Sequence, residues 1–139
     1  MHKFRELKVW QRAIEFVTEI YRVSAEFPTS EQFGLTSQIR RAAISNPVNI
    51  AEGAGNVSDV EFQRFLGYAL RSAYEVMAAL EVAQRLGFCT KEATQTLLAE
   101  ADQIAAMDDC RPISKPRPQP IASDYRNLAT DYCYLATDF

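Results

Sequence analysis

The residue types most often used for chemistry are scarce in this chain and poorly spaced for it. Its one histidine, His2, stands at the second position, which nearly excludes histidine-based catalysis and zinc sites. A di-iron bundle needs inward Glu-x-x-His pairs, and no histidine is left to supply them. Three cysteines, Cys89, Cys110 and Cys133, form an odd, scattered set without C-x-x-C spacing and read as reduced thiols. Gly53-Ala54-Gly55 is a bare G-x-G with Ser58 where a dinucleotide fingerprint has its third glycine, and it reads as helix termination. No catalytic residue, metal ligand or cofactor site is expected, and no small-molecule substrate is evident.

One polar constellation remains. Gln38, Arg41, Ser45, Asn49 and Glu52 step by 3, 4, 4 and 3, which places them on one stripe of a helix, with Arg40 beside Arg41. Arg40, Arg41, Asn49 and Glu52 are the candidate nucleic-acid or interface residues, and three readings compete for them. The stripe is a solvated face whose arginines pair with acids of the next helix. Or Arg41, Asn49 and Glu52 form a satisfied polar network at a helix–helix or subunit contact. Or Arg40 and Arg41, with Lys3, Arg5, Lys8 and Arg12, contact phosphate, which supplies affinity without sequence readout.

The charge balance bears on that choice. Fifteen Lys and Arg against eighteen Asp and Glu give a net charge of −3, so the basic surplus of a typical nucleic-acid-binding domain is missing. Residues 1–57 carry seven basic and six acidic groups, residues 58–110 four and nine, and residues 111–139 four and three. Any anion-binding face should therefore come from the first half. The opening MHKFRELKVW lacks the apolar core of a signal peptide, and the longest uncharged run, 42–51, is too short to span a membrane. A cytoplasmic protein with no membrane partner is expected.

The elements that must position these residues are helices. In the first, roughly Phe4 to Glu26, Leu7, Trp10, Ile14, Val17 and Tyr21 make one apolar stripe, and Val9, Ala13, Phe16, Ile20 and Val23 a second. Two adjacent seams imply two neighbours, and Pro28 ends the helix. The second runs from about Thr36 to Glu52 and stops at Gly53. Pro47 inside it predicts a kink near Ile44–Pro47, with Asn49 nearest a freed carbonyl at Ser45. Ser58-Asp-Val-Glu61 has the form of a capping box. From it springs the strongest pattern in the chain: Phe62, Leu66, Ala69, Ala73, Val76, Leu80 and Ala83 alternate steps of 4 and 3. Leu86-Gly87-Phe88 supplies the stop. Thr90 then caps a fourth helix with Ala93, Leu97, Ala101 and Ile104 inward. Short links favour antiparallel neighbours, so the expected fold is all-α, an antiparallel up-down four-helix bundle over residues 1–110.

Residues 111–139 read differently. Pro112, Pro116, Pro118 and Pro120 make an extended linker. Beyond it Tyr125, Leu128, Tyr132, Leu135 and Phe139 step by 3 and 4, the pattern of a short amphipathic tail expected to dock on an apolar groove of the same or a neighbouring subunit.

Phe4-Arg-Glu-Leu-Lys-Val-Trp10-Gln, Phe33-Gly-Leu-Thr-Ser-Gln-Ile-Arg-Arg-Ala-Ala43 and Pro47-x-Asn-Ile-Ala-Glu-Gly53 occur in that order, followed by Phe62-x-Arg-Phe-Leu66. Over about residues 4–108 the chain resembles the 23S ribosomal RNA intervening-sequence proteins. The resemblance implies an up-down four-helix bundle assembling as a homopentamer, with no known catalytic activity. It also marks departures: Asn46 stands where the family usually places an apolar residue, and Ala54, Gly55, Asn56 and Val57 replace an aromatic and basic continuation. The expected function is that of a non-catalytic, pentameric scaffold engaging structured RNA or a nucleoprotein partner. The alternative is a protein–protein adaptor with no nucleic-acid role. Large uncovered apolar surface on the first and third helices independently favours self-association, with Trp10, Phe16 or Phe62 at the junction.

Overall fold

The computed structural model describes residues 3–56 and 58–109. Over these residues the protein is all-helical, with four α-helices and no strand: α1 (Lys8–Ser24), α2 (Leu35–Ala54), α3 (Asp59–Arg85) and α4 (Lys91–Asp108), with 3-10 turns at Phe4–Glu6 and Thr29–Glu31. The proline-rich linker and the amphipathic tail expected over residues 111–139 lie outside the described residues. No described helix is long and apolar enough to cross a membrane.

Each helix packs against two neighbours. The Cα atoms of α1 and α3, and those of α2 and α4, nowhere approach within 8 Å, so these pairs are diagonal. The two apolar stripes of α1 separate in this setting. Ala13, Phe16 and Ile20 of the second stripe are buried, whereas Ile14 and Tyr21 of the first remain exposed. One seam is filled within the chain and the other only in part.

Helix α2 begins without a side-chain cap from Gly34. Glu31 takes that role instead, its Oε2 accepting from the Leu35 amide at 2.9 Å. The helix then runs unbroken through Pro47, which is buried. Asn49 Nδ2 donates to the Ser45 carbonyl at 2.8 Å, the contact expected. The carbonyl left without a donor by the proline ring is however that of Ala43, four residues before it. Gly53 does not end the helix. It is buried within α2, and a Cβ there would lie 2.6 Å from Phe65 Cβ, so it is glycine because α3 passes against it.

The apolar stripe of α3 is buried from Phe62 through Leu66, Ala69, Ala73, Val76 and Leu80 to Ala83. Its first turn differs from expectation: Ser58 is the N-cap residue, but its hydroxyl makes no capping bond. The end is as predicted, with Gly87 at φ 78° and the Phe88 amide donating to the Ala83 carbonyl at 2.9 Å. Thr90 caps α4, accepting from the Ala93 amide at 3.2 Å. Thr94 is the fully buried residue of the first turn, rather than Ala93, and its hydroxyl is satisfied by the Thr90 carbonyl at 2.8 Å.

The core divides in two. One apolar cluster draws on all four helices, including Phe16, Ile20, Ile39, Leu80, Leu97 and Ile104. A second joins Leu7, Ala13, Ile50, Ala54, Phe62 and Leu66 with no α4 residue. Helix length explains this: at ~1.5 Å per residue the 27 residues of α3 reach about 40 Å and the 18 of α4 only about 27 Å. Along α2, buried Asn46 falls between Ala43 of the first cluster and Ile50 of the second. Its Nδ2 donates to the Ala69 carbonyl at 2.8 Å and to Asp108 Oδ2 at 2.7 Å. That bond links the diagonal pair α2 and α4.

Candidate nucleic-acid interface

Adjacent residues on a helix point about 100° apart, and Arg40 and Arg41 part company accordingly. Arg40 turns to α1. Its Nε donates to Ser24 Oγ at 2.8 Å and its Nη2 to the Tyr21 carbonyl at 3.3 Å, while the guanidinium lies 4.5 Å from the centre of the Tyr21 ring. A cation over the last carbonyls of α1 closes that helix end and complements its dipole. Arg40 is therefore a structural residue.

Arg41 turns outward, into an open groove with Phe33, Ser37, Gln38 and Glu75. Phe33 is 91% exposed at its rim. Asn49 joins a small hydroxyl network on the side of α2 that meets α3. Its Nδ2 also donates to Ser45 Oγ at 3.1 Å, and the Ser72 hydroxyl lies 3.0 Å from Ser45 Oγ and 3.1 Å from the Tyr68 carbonyl. Glu52 is exposed, and its backbone carbonyl accepts from Asn56 Nδ2 at 3.0 Å and from the Gly55 amide at 3.2 Å. Of the four candidates, Arg41 and Asn49 thus share the α2–α3 face, while Arg40 and Glu52 take no part in its network.

Of the other basic groups expected at this face, Lys3 pairs with Glu6 at 3.6 Å and Arg5 lies over the Phe4 ring. Arg12 is held by α4, with Nε on Glu100 Oε1 at 2.9 Å, Nη2 on Glu100 Oε2 at 2.8 Å and a further bond to Gln103. A bidentate pair of this kind fixes α1 against α4 and leaves Arg12 committed.

The α3 side of the face supplies what the sequence reading overlooked. Arg64 Nε donates to Tyr68 Oη at 2.9 Å, and the Arg64 and Arg71 guanidiniums lie 5.9 and 5.7 Å from the Tyr68 ring centre. Phe65 meets the same ring edge-on at 5.6 Å. The Tyr68 hydroxyl bond, and behind it Glu61 at 3.7 Å, push the Arg64 pKa further above its already high ordinary value. Arg64, Tyr68 and Arg71 step by 4 and 3, a helical stripe as regular as the apolar one beside it. Arg41 stands one helical turn before Ser45, whose hydroxyl meets that of Ser72, while Arg71 points about 100° away from Ser72 and lies at the Tyr68 ring. The face presents three exposed arginines and an aromatic ring beside half-buried Ser45 and Asn49, with Ser72 buried behind them.

The comparisons agree with this architecture. The sequence pattern of the family described as 23S rRNA-intervening sequence protein matches residues 5–108. A crystal structure of a protein with unknown function from the S23 ribosomal protein family of Bacteroides thetaiotaomicron is similar at 25% identity and a TM-score of 0.67, covering 72% of this chain and 94% of that one. No curated protein matches the sequence. With three quarters of its length inside that pattern and the same helical fold in a family relative, the chain belongs to the 23S rRNA-intervening sequence protein family.

Proposed function

We propose that the protein is a non-catalytic, up-down helical-bundle scaffold that assembles into a closed ring of five and binds the phosphate backbone of structured RNA through its α2–α3 face. The observation that carries the RNA reading is the pair Arg64 and Arg71 around Tyr68 beside the Ser45–Asn49–Ser72 network, with Arg41 in the groove that it shares with Glu75. Arginine forks and hydroxyl donors suit phosphate oxygens, and such contacts give shape-directed rather than sequence-directed binding. Glu61 beside Arg64 and Glu75 in the groove of Arg41 offset part of the local charge, so phosphate contact at this face rests most on Arg71, while acids more than about 10 Å away are screened. Self-assembly is supported by the exposed apolar residues Ile14, Tyr21, Ile44, Val48, Tyr74 and Val82, which a single bundle leaves uncovered.

Retention of a structured RNA by the purified protein at low and moderate salt tests the reading. Wild type should bind at low salt and weaken steeply as salt rises, and Arg64→Ala with Arg71→Ala should lower affinity and flatten the salt slope by about two charges. Arg40→Ala should cost stability rather than binding. No retention at low salt would exclude the RNA role and leave the protein–protein adaptor, for which the same exposed apolar residues would serve. Sedimentation of a stable monomer at micromolar concentration would exclude the ring.

A further inference from the structure

Asn46 and Asp108 form a buried pair whose hydrogen-bond count does not close. Asn46 is 4% exposed and Asp108 1%. The amide gives both protons away, to the Ala69 carbonyl and to Asp108 Oδ2. Rotating the amide by 180° would set Asn46 Oδ1 against those two acceptors, so its orientation is fixed. What remains is Asn46 Oδ1 and Asp108 Oδ1, both buried, both acceptors and both without a partner among the described residues. Two orphaned acceptors on two groups already bonded to each other lack one thing, a hydrogen between them.

We propose that Asp108 is carried in the folded protein as the neutral acid, its Oδ1–H donating to Asn46 Oδ1, so that acid and amide close a reciprocal two-bond clasp between α2 and the end of α4 that opens when the acid ionises. One proton then satisfies both orphans and removes a buried charge, the costliest feature of such a site. Burial is the first cause pushing the Asp108 pKa up, to about 8, and the Asn46 bond opposes it second. Among the described residues no charged group of α1, α2 or α3 contributes to that displacement; the neighbouring acid is Asp109, which is buried and follows it in the chain. The clasp has a place as well as a chemistry. It sits between the two apolar clusters, where the bundle passes from four helices to three, and α4 ends there. Ionisation at mildly alkaline pH would therefore loosen the end of α4 and the point from which residues 110–139 depart, before it disturbed the larger cluster.

The test uses the full chain and Asp108→Asn, which can make the same two bonds at every pH. Thermal midpoints of wild type should fall between pH 5.5 and 9 by about 4 °C or more relative to the variant. The infrared difference between wild type and variant at pH 6.5 should show the carbonyl stretch of a protonated carboxylic acid, replaced by carboxylate bands at pH 9.5. If the variant fails to fold, the infrared titration of wild type against the carboxylates of the unfolded chain decides alone. A carboxylate signal at pH 6.5, or a pH-independent gap between the midpoints, would overturn the proposal.

Discussion

Asn46 Nδ2 stands 2.7 Å from Asp108 Oδ2, joining two residues 62 apart in the sequence and two helices whose Cα atoms stay beyond 8 Å. Asn46→Ala removes the only amide that serves both the Ala69 carbonyl and the acid, leaving Asp108 buried without it. A loss of about 2–3 kcal/mol is expected, the cost of stranding buried polar groups, measured by denaturant unfolding at pH 6.

The same acid gives stability a slope in pH. Its pKa in the folded protein is raised to about 8 from 3.8, so the folded state holds the proton longer than the unfolded chain does. Its favourable contribution is complete below pH 3.8 and is lost as pH rises toward 8. Ordinary carboxylates do the opposite, and Asp108→Asn should remove only this fall in stability between pH 3.8 and about 8.

Gly53→Ala sets two effects against each other. Alanine in a helix interior is worth about 1 kcal/mol over glycine. Its Cβ would lie 2.6 Å from Phe65 Cβ and 3.0 Å from Phe62, which forces α2 and α3 apart at a cost of about 1–3 kcal/mol. Net destabilisation is expected, and a higher melting temperature would show that the two helices yield freely.

Two helix starts that look alike in sequence should respond differently. Thr90→Ala removes a hydroxyl that accepts from the Ala93 amide and should cost about 1 kcal/mol. Ser58→Ala removes one that caps nothing and should cost at most a few tenths, both read from chemical denaturation.

Arg12→Ala should separate α1 from α4 modestly. Arg12 and Glu100 are each about one third exposed, so the pair is worth about 1 kcal/mol and weakens with salt. A double-mutant cycle with Glu100→Ala at two salt concentrations measures it.

What the sequence made legible was what repeats locally. The α3 stripe from Phe62 to Ala83 is buried at every predicted step, because a 3- and 4-residue spacing needs no knowledge of the partner. The Gly87 stop and the Thr90 cap are local in the same way. Gly53 was illegible because its reason, Phe65, lies on another helix. Which of Arg40 and Arg41 would meet α3 depended on where α1 sat, a fact of packing. Arg64, Tyr68 and Arg71 were in plain view, overshadowed by the apolar stripe of their own helix. Asn46 and Asp108 carry no signal that could have paired them.

Helices α2 and α3 both bury small residues: Ala42, Ala43, Gly53 and Ala54 on one, Ala69, Ala73 and Ala79 on the other. Only residues 55–58 separate the two helices, so closing them on each other costs little loop entropy. This pair is expected to close early in folding, with α1 and α4 docking after it. A substitution such as Ala69→Gly should then slow refolding, whereas Leu97→Ala on α4 should chiefly hasten unfolding.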